Sequence, residues 1–573
     1  MTNVQVEAAD FETATAAVKN MGLGWNLGNT LEANRQSVTT DVTSPDYWGQ
    51  QGLESETCWG QYVTHPELLK MMKDAGFGAI RVPVTWYNHM DKDGNVNAEW
   101  MARVHEVVDY VINQGMYCIL NVHHDTGADS YDKSGNLTHY HWIKADEANY
   151  STNKARYEKL WKQIAEEFKN YDQHLLFEGY NEMLDKLNSW CYASFASSKK
   201  YDAEIAASAY NAINSYAQSF VSTVRTTGGN NEKRNLIVNT YACCAGIDTW
   251  SEHLKDPLKE MKYPTDKAEG HIIFQVHAYP SIVDGTKDRP IASIQSEIDA
   301  MINDWKTYLV SKGAPVILGE WGTSNVDADV TDYDARRPLM FEFADYMVKQ
   351  CKANDVATFY WMGLTEGAAR LFPAFHQADL AKVLLQAYHG SDYDPVLPVR
   401  SDYNNTYISA TVGFEQEWSE FNIFTGTMSA SDYSAIELEL AEAPATGALQ
   451  YKVYGSSEKF QKIETANSKL SLTTAMGSIK QITLQWCLKS KGSVKVKSIW
   501  LVKKDGTKIP SDPSVFWGCT MSDVTLITLP TGVNSIKMDA EKGDGYMYDL
   551  NGRRLQQPSK GITIKNGKKY FGN

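Results

Sequence analysis

At 573 residues the chain exceeds what one hydrophobic core organises, so two or three domains are expected. A formal charge of −15 excludes the basic face that nucleic acid or an anionic membrane requires, while a neutral polysaccharide makes no such demand. The 16 Trp and 32 Tyr supply flat rings that stack on sugars, though most of them are expected in the core.

Up to about residue 390, short β-branched or apolar runs alternate with helical periodicity. Strands are expected near Gly22–Asn26, Ala79–Pro83, Tyr117–His123, Leu175–Glu182, Asn235–Asn239, Ile272–His277, Pro315–Glu320 and Ala357–Trp361. Between them, Tyr157, Leu160, Trp161, Ile164 and Phe168 mark one helix face. Ile205, Ala212, Ile213, Tyr216, Phe220 and Val224 mark another, which Gly228-Gly229 stops. The alternation predicts an α/β fold, a (β/α)8 TIM barrel over 1–392, with chemistry at the C-terminal strand ends. Asp394-Pro395-Val396-Leu397-Pro398 reads as a linker over 393–400, because its prolines disfavour helix and sheet alike. Beyond it the period is two. Ile436, Leu438 and Leu440 alternate with glutamates, Leu449, Tyr451 and Val453 follow suit, and Ile482, Leu484, Trp486, Val494 and Val496 continue. That predicts an all-β, jelly-roll-like sandwich over 401–522. Asn551-Gly552 and Asn566-Gly567 predict a short β-hairpin tail over 523–573.

Two of the barrel runs carry a carboxylate to a strand end, Glu182 in Leu175–Met183 and Glu320 in Pro315–Gly322. Two carboxylates facing one sugar perform glycoside hydrolysis, one protonating the leaving oxygen and the other attacking or activating water. Strands four and seven face each other across the mouth, so a separation of about 5–5.5 Å and a retaining outcome are expected. Other strand ends add Arg81, His123, His124, Asn181, His277, Tyr279 and Trp361. A nucleophilic carboxylate needs a low pKa, which Arg81 and a tyrosyl hydroxyl provide, and its acid partner needs a raised one. Asn181 suits a sugar 2-hydroxyl and Trp361 suits the floor under the reacting ring. Arg81 has a plainer reading as the ion-pair partner of a core carboxylate. Trp25, Trp59, Trp86 and Trp142 either line subsites or pack the barrel. In the sandwich, Trp418, Phe421, Phe424, Trp486, Trp500 and Trp517 are enough for a sugar-binding strip, with Trp486 assigned to core; binding and spacer roles both stay open.

The 8 cysteines show no metal-ligand spacing, and Cys118 and Cys351 read as buried thiols. Cys243 and Cys244 point to opposite faces if extended, so one could pair elsewhere, with no partner indicated. His123-His124-Asp125 lacks further ligands at metal spacing, and Asp327, Asp329, Asp332 and Asp334 lack the glycine and glutamate of an EF-hand. No metal and no organic cofactor is therefore expected. No apolar run spans a bilayer. The Met1-Thr2-Asn3 start carries no leader, which fits a cytoplasmic protein or a removed signal peptide, the second being favoured.

Several motifs resemble glycoside hydrolase family five, particularly its fourth subfamily of β-glucanases. They are Gly24-Trp25-Asn26-Leu27-Gly28-Asn29-Thr30, Glu56-Thr57-Cys58-Trp59-Gly60, Arg81-Val82-Pro83-Val84-Thr85-Trp86 and Asn121-Val122-His123-His124-Asp125. Phe177–Asp185, Val276-His277-Ala278-Tyr279 and Leu318–Gly322 complete the set, over roughly 11–390. The resemblance implies Glu182 as acid/base and Glu320 as nucleophile, with Arg81, His123, His124, Asn181, His277, Tyr279, Trp361, Asn26 and Trp59 binding substrate or supporting the pair. Met362-Gly363-Leu364 departs from the Asp that follows the strand-eight Trp in many relatives. The terminal Tyr546–Arg554 and Lys560-Gly561-Ile562 resemble C-terminal segments of enzymes secreted by Gram-negative polysaccharide degraders. A monomeric, secreted or surface-held endo-β-1,4-glucanase is implied, with a polysaccharide as its partner. Activity mainly on xyloglucan, mixed-linkage glucan, mannan or xylan is the alternative, as is a non-catalytic glycan-binding barrel or a metal-dependent hydrolase.

Overall fold

The computed structural model describes residues 11–34, 47–131, 133–185, 201–246, 252–322, 330–429, 431–456 and 458–529, with strand segments 547–548, 554–555, 561–565 and 568–572. Eight parallel strands close a barrel in sequential order: β1 (Leu23–Asn26), β2 (Ala79–Val82), β3 (Tyr117–Asn121), β4 (Leu175–Glu178), β5 (Leu236–Asn239), β6 (Ile272–Ala278), β7 (Val316–Trp321) and β8 (Ala357–Trp361). All eight expected strands are present. The fourth stops earlier than expected, so Glu182 stands in the loop beyond it.

The outer helices follow their apolar stripes. α4 (Glu147–Glu167) buries Tyr157, Leu160, Trp161 and Ile164 and starts at Asp146, whose side chain accepts from the Asn149 N–H. α5 (Ala203–Thr226) ends just before Gly228, whose φ of 72° suits only glycine comfortably. Inside the barrel the two ends differ. At the strand starts Ile119, Leu176, Ile237, Ile273, Ile317 and Phe359 form an apolar plug, closed from below by Ala14, Ala17, Val18 and Met21 of α1 (Ala14–Met21). At the strand ends the buried side chains turn polar, with Asn26, Arg81, Asn121, Glu178, Asn239 and Glu320. Hydrophobic burial holds the lower half, so the upper half must satisfy its charges internally.

After the barrel, eleven strands make two antiparallel sheets. β9 (Thr406–Phe414), β10 (Glu420–Ser429), β11 (Tyr433–Leu440), β12 (Leu449–Tyr454), β13 (Lys459–Ile463), β14 (Asn467–Ser471), β15 (Ser478–Trp486), β16 (Gly492–Lys503), β17 (Lys508–Pro510), β18 (Ser514–Trp517) and β19 (Cys519–Thr528) follow in chain order. One sheet runs β14-β11-β16-β9-β19, with β17 beside β16, and the other runs β13-β12-β15-β10-β18. The alternating residues of β11, β12, β15 and β16 meet in one core between the sheets. Trp486 is core, as expected, stacked on Phe414 at 5.2 Å and 8°.

The proline segment between the two is packed rather than free. Tyr393 and Leu397 lie against the barrel core, and the Phe375 N–H donates to the Pro398 carbonyl at 2.7 Å. Tyr62, Ala368 and Phe372 of the barrel loops join the sandwich core. Arg400 binds Asp512 at 2.9 Å and lies 3.7 Å over the Phe372 ring. Residues 1–404 and 408–525 make one compact unit, and 405–407 with 526–573 make a second. In the second, Met547–Tyr548 pairs with Arg554–Leu555, and Gly561–Lys565 with Lys568–Gly572, as hairpins. Both Asn-Gly turns lie outside the described residues, as do Asp327 and Asp329. Helix α7 (Val330–Ala353) covers positions 332 and 334. No described helix is long and apolar enough to cross a membrane.

Candidate active site

Arg81 is the hub of the barrel mouth. Fully buried, it sends Nε and Nη2 to the two oxygens of Glu178 at 2.7 and 2.8 Å. Nη1 donates to Glu320 at 2.6 Å and to the Asn26 carbonyl oxygen at 3.0 Å, and Nη2 also reaches Asn181 Oδ1 at 2.9 Å. Burial works against its charge, but the two glutamates outweigh that and keep it protonated. The plain reading of Arg81 and the functional one therefore both hold: one arm of the fork grips a core carboxylate, the other a site carboxylate. Glu178 is the residue that sequence reasoning missed. A lone Arg inside an apolar strand demands a buried anion, and Glu178 stood in the same motif as Glu182.

Glu320, at the end of β7, accepts Arg81 on one oxygen and the Tyr279 hydroxyl on the other at 2.8 Å. The charges of Glu320 and Glu182 join burial in pushing the Tyr279 phenol well above its ordinary value, so it stays a donor. Glu182 accepts from His277 Nδ1 at 2.8 Å, and the same nitrogen lies 3.6 Å from Glu320. One oxygen of Glu182 lies within 4.8 Å of one oxygen of Glu320. One expectation fails here. Burial pushes the Glu182 pKa up, but the hydrogen bond from His277, with Arg81 nearby, brings it below its ordinary value. The side chain is 41% exposed, which leaves that burial incomplete.

The histidines are set by their neighbours. Asn121 takes the Val84 N–H on its oxygen at 3.0 Å and donates to His123 Nδ1 at 3.0 Å, which puts the His123 proton on Nε2, 4.0 Å from Glu320. Burial, then the charges of His124, Arg81 and His277, hold His123 neutral. His124 packs edge-on against His123 at 4.5 Å, and Asp125 caps the backbone of Trp86 and Tyr87 at 2.7 and 2.9 Å. Trp361 stacks parallel to His123 at 5.9 Å, a half-buried plane beside the carboxylates. Asn26 does not face the cleft. It donates to the Gly319 and Phe359 carbonyls at 2.9 and 3.1 Å and so positions Arg81. Trp25, Trp86 and Trp142 are core, whereas Trp59 is 39% exposed and lies 5.4 Å from the His124 ring.

Cys118 and Cys351 are buried, and burial pushes both thiols up. Cys243 and Cys244 are not extended: positive φ at Ala242 and Cys243 turns the chain, and both thiols make local hydrogen bonds. Folding does gather three ligand-type groups that no sequence spacing announced, Glu182, His277 and Glu320.

A parallel barrel with two close carboxylates at its C-terminal mouth, one clamped by Arg and Tyr, is the working end of a barrel glycoside hydrolase. The chain belongs to that class through glycosyl hydrolase family 5: residues 39–365 match the family model described as Cellulase (glycosyl hydrolase family 5). It is 33% identical over 383 residues to Endoglucanase B of Neocallimastix patriciarum, covering 65% of this chain and 70% of the relative. Among solved structures it resembles a GH5-4 broad specificity endoglucanase from an uncultured bacterium at 61% identity and a TM-score of 0.60, covering 66% of this chain and 96% of that one. A family 5 enzyme of Prevotella bryantii B14 matches at 39% identity and 0.54, covering 66% and 99%. The family match ends before the sandwich begins.

Proposed function

We propose that the chain is a secreted, monomeric, retaining endo-β-1,4-glucanase in which Glu320 is the nucleophile and Glu182 the acid/base. One observation carries this reading: Glu320 is pinned between Arg81 and Tyr279 while Glu182 faces it within 4.8 Å. A nucleophile must be fixed in place, and Glu320 is the carboxylate held by donors on both oxygens. In the first step a Glu320 oxygen bonds to the sugar C1 as the C1–O bond to the leaving chain breaks and Glu182 gives that oxygen its proton. In the second, Glu182 takes a proton from water, the water oxygen bonds to C1, and Glu320 departs. A seated sugar excludes water from Glu182, which strengthens the burial effect and favours its protonated form. Asn181 offers its amide N–H to the 2-hydroxyl, because its oxygen is occupied by Arg81.

Secretion accords with a polymer substrate too large to enter a cell, and the tail's resemblance to Gram-negative export segments points the same way. A second reading, action on xyloglucan as well as linear glucan, is favoured by two of the matched structures. The 61% relative is described as broad in specificity, and the Prevotella bryantii enzyme as complexed with a xyloglucan tetradecasaccharide. The test is NMR of the first-formed product with a profile across soluble glucans, xyloglucan, mannan and xylan. The β-anomer should form first and β-1,4-glucans should be cleaved internally; a first-formed α-anomer would sink the mechanism.

A further inference from the structure

Where β18 meets the barrel loops there is a groove of about 380 Å³, lined by Asn34 and Trp59 from the barrel and by Glu415, Val515, Phe516 and Trp517 from the sandwich. We propose that this groove is a distal subsite of the substrate cleft, taking the far end of the same β-glucan chain whose middle occupies the barrel mouth. The proposal rests on the endoglucanase reading given above. Three features carry it.

A run of ring contacts leads from the groove toward the catalytic centre. Trp59 lines it and also lies 5.4 Å from the His124 ring, which is 4.5 Å from His123, whose Nε2 is 4.0 Å from Glu320. A glycan leaving the mouth along that wall reaches the sandwich after a few sugar units.

Its chemistry suits a neutral sugar. Trp59, Phe516 and Trp517 are 39%, 47% and 48% exposed, large rings left open to solvent side by side. Apolar faces of pyranose rings stack on such surfaces, and Asn34 and Glu415 bring polar groups to the rim. Among the described residues that line the groove, none is cationic.

The aromatic pair is held open by the backbone. Neighbours on a strand normally point to opposite faces, yet Phe516 and Trp517 are both exposed. The register of β18 on β10 slips between Glu420 and Phe421, and Gly518 follows with φ of 60°. The wall is also firmly seated: the Trp59 indole donates to the Asn34 carbonyl at 2.8 Å, and the Tyr62 hydroxyl donates to the Pro513 carbonyl.

The test compares the full chain with Phe516→Ala, Trp517→Ala and the double variant on cellohexaose and on an aryl β-cellobioside, which is too short to reach the groove. The ratio of kcat/KM for the hexasaccharide to that for the aryl glycoside should fall about fivefold for Trp517→Ala, mainly through KM, and further for the double variant. Trp517→Phe should restore most of the ratio. An unchanged ratio in the double variant overturns the proposal, and so does an equal loss on both substrates with a lowered melting temperature. Should the parent enzyme cleave another β-glycan instead, the endoglucanase reading falls by itself, and the ratio is read with that glycan's long and short oligosaccharides.

Discussion

One buried glutamate of the barrel, Glu178, and one of the sandwich, Glu420, behave differently. Glu178 in the barrel accepts from Arg81 twice, from Asn121 at 3.2 Å and from Asn239 at 3.1 Å. Glu420 in the sandwich accepts from Lys452 at 3.0 Å, Tyr454 at 2.6 Å, Thr483 at 2.9 Å and Gln485 at 2.9 Å. Each is satisfied, as a buried charge must be. What separates them is where the cation leads. Lys452 is a point charge whose other ion pair is Glu458, at 3.7 Å on the surface. Arg81 is a fork, and its second arm ends on Glu320 in an open cleft. Burial and pairing alone do not mark a functional residue; the onward connection does.

The largest effect should come from the cleft pair itself. Glu320→Ala is expected to lower kcat on every glycan by a factor on the order of 10⁴ or more, since it removes the oxygen that is to bond to C1. Glu182→Ala should still form the glycosyl-enzyme from an aryl glycoside with a good leaving group, and azide should restore turnover by giving a β-glycosyl azide. Steady-state rates and product NMR decide this, and rescue of only the Glu320 variant would reverse the roles.

Glu178→Gln leaves Arg81 buried with one carboxylate instead of two, and kcat should fall on the order of 10²-fold through the misaligned nucleophile. Glu420→Gln should cost about 1–3 kcal/mol of unfolding stability, yet leave kcat on an aryl cellobioside within about twofold. Denaturant melts and kinetics on the same samples check both. If Glu420→Gln loses as much rate as Glu178→Gln, the distinction drawn between the two networks is wrong.

Much of this was legible in the sequence because barrel strands are short, apolar and end in the residues that matter. Glu182, Glu320, Arg81 and Tyr279 could all be placed at one mouth from strand order alone. Glu178 was missed although Arg81 called for a buried anion, because choosing between two glutamates four positions apart requires knowing where β4 stops. Asn26 had the right motif but points at carbonyls of β7 and β8, a direction set by the twist of the closed sheet. The groove at β18 was out of reach, since it depends on a one-residue slip of register and on how Tyr62 and Phe372 seat the sandwich.

A smaller effect concerns pH. The hydrogen bond from His277 holds the Glu182 pKa down against burial. In His277→Asn that restraint is gone, so Glu182 should keep its proton to higher pH. The alkaline limb of kcat/KM should therefore move upward, with the rate itself down about tenfold. A limb that stays put or moves downward would mean that another group controls it.

The smallest expected effect is none at all, on removing metal. Glu182, His277 and Glu320 bring ligand atoms within 4.8 Å of one another, so the question is a fair one. Glu320 and His277, however, are already engaged by neighbours. Arg81 and Tyr279 take one oxygen each of Glu320, and the Gln275 amide approaches His277 Nε2 at 3.3 Å. That leaves the proton on His277 Nδ1, where it faces Glu182, whereas a metal would need that nitrogen bare. A divalent cation there would also sit beside the Arg81 guanidinium, and like charges at that range repel. Exhaustive chelation should leave turnover unchanged on soluble glucan. Loss of turnover that added zinc or manganese restores would show that the three groups act as ligands and that the acid and nucleophile roles must be redrawn.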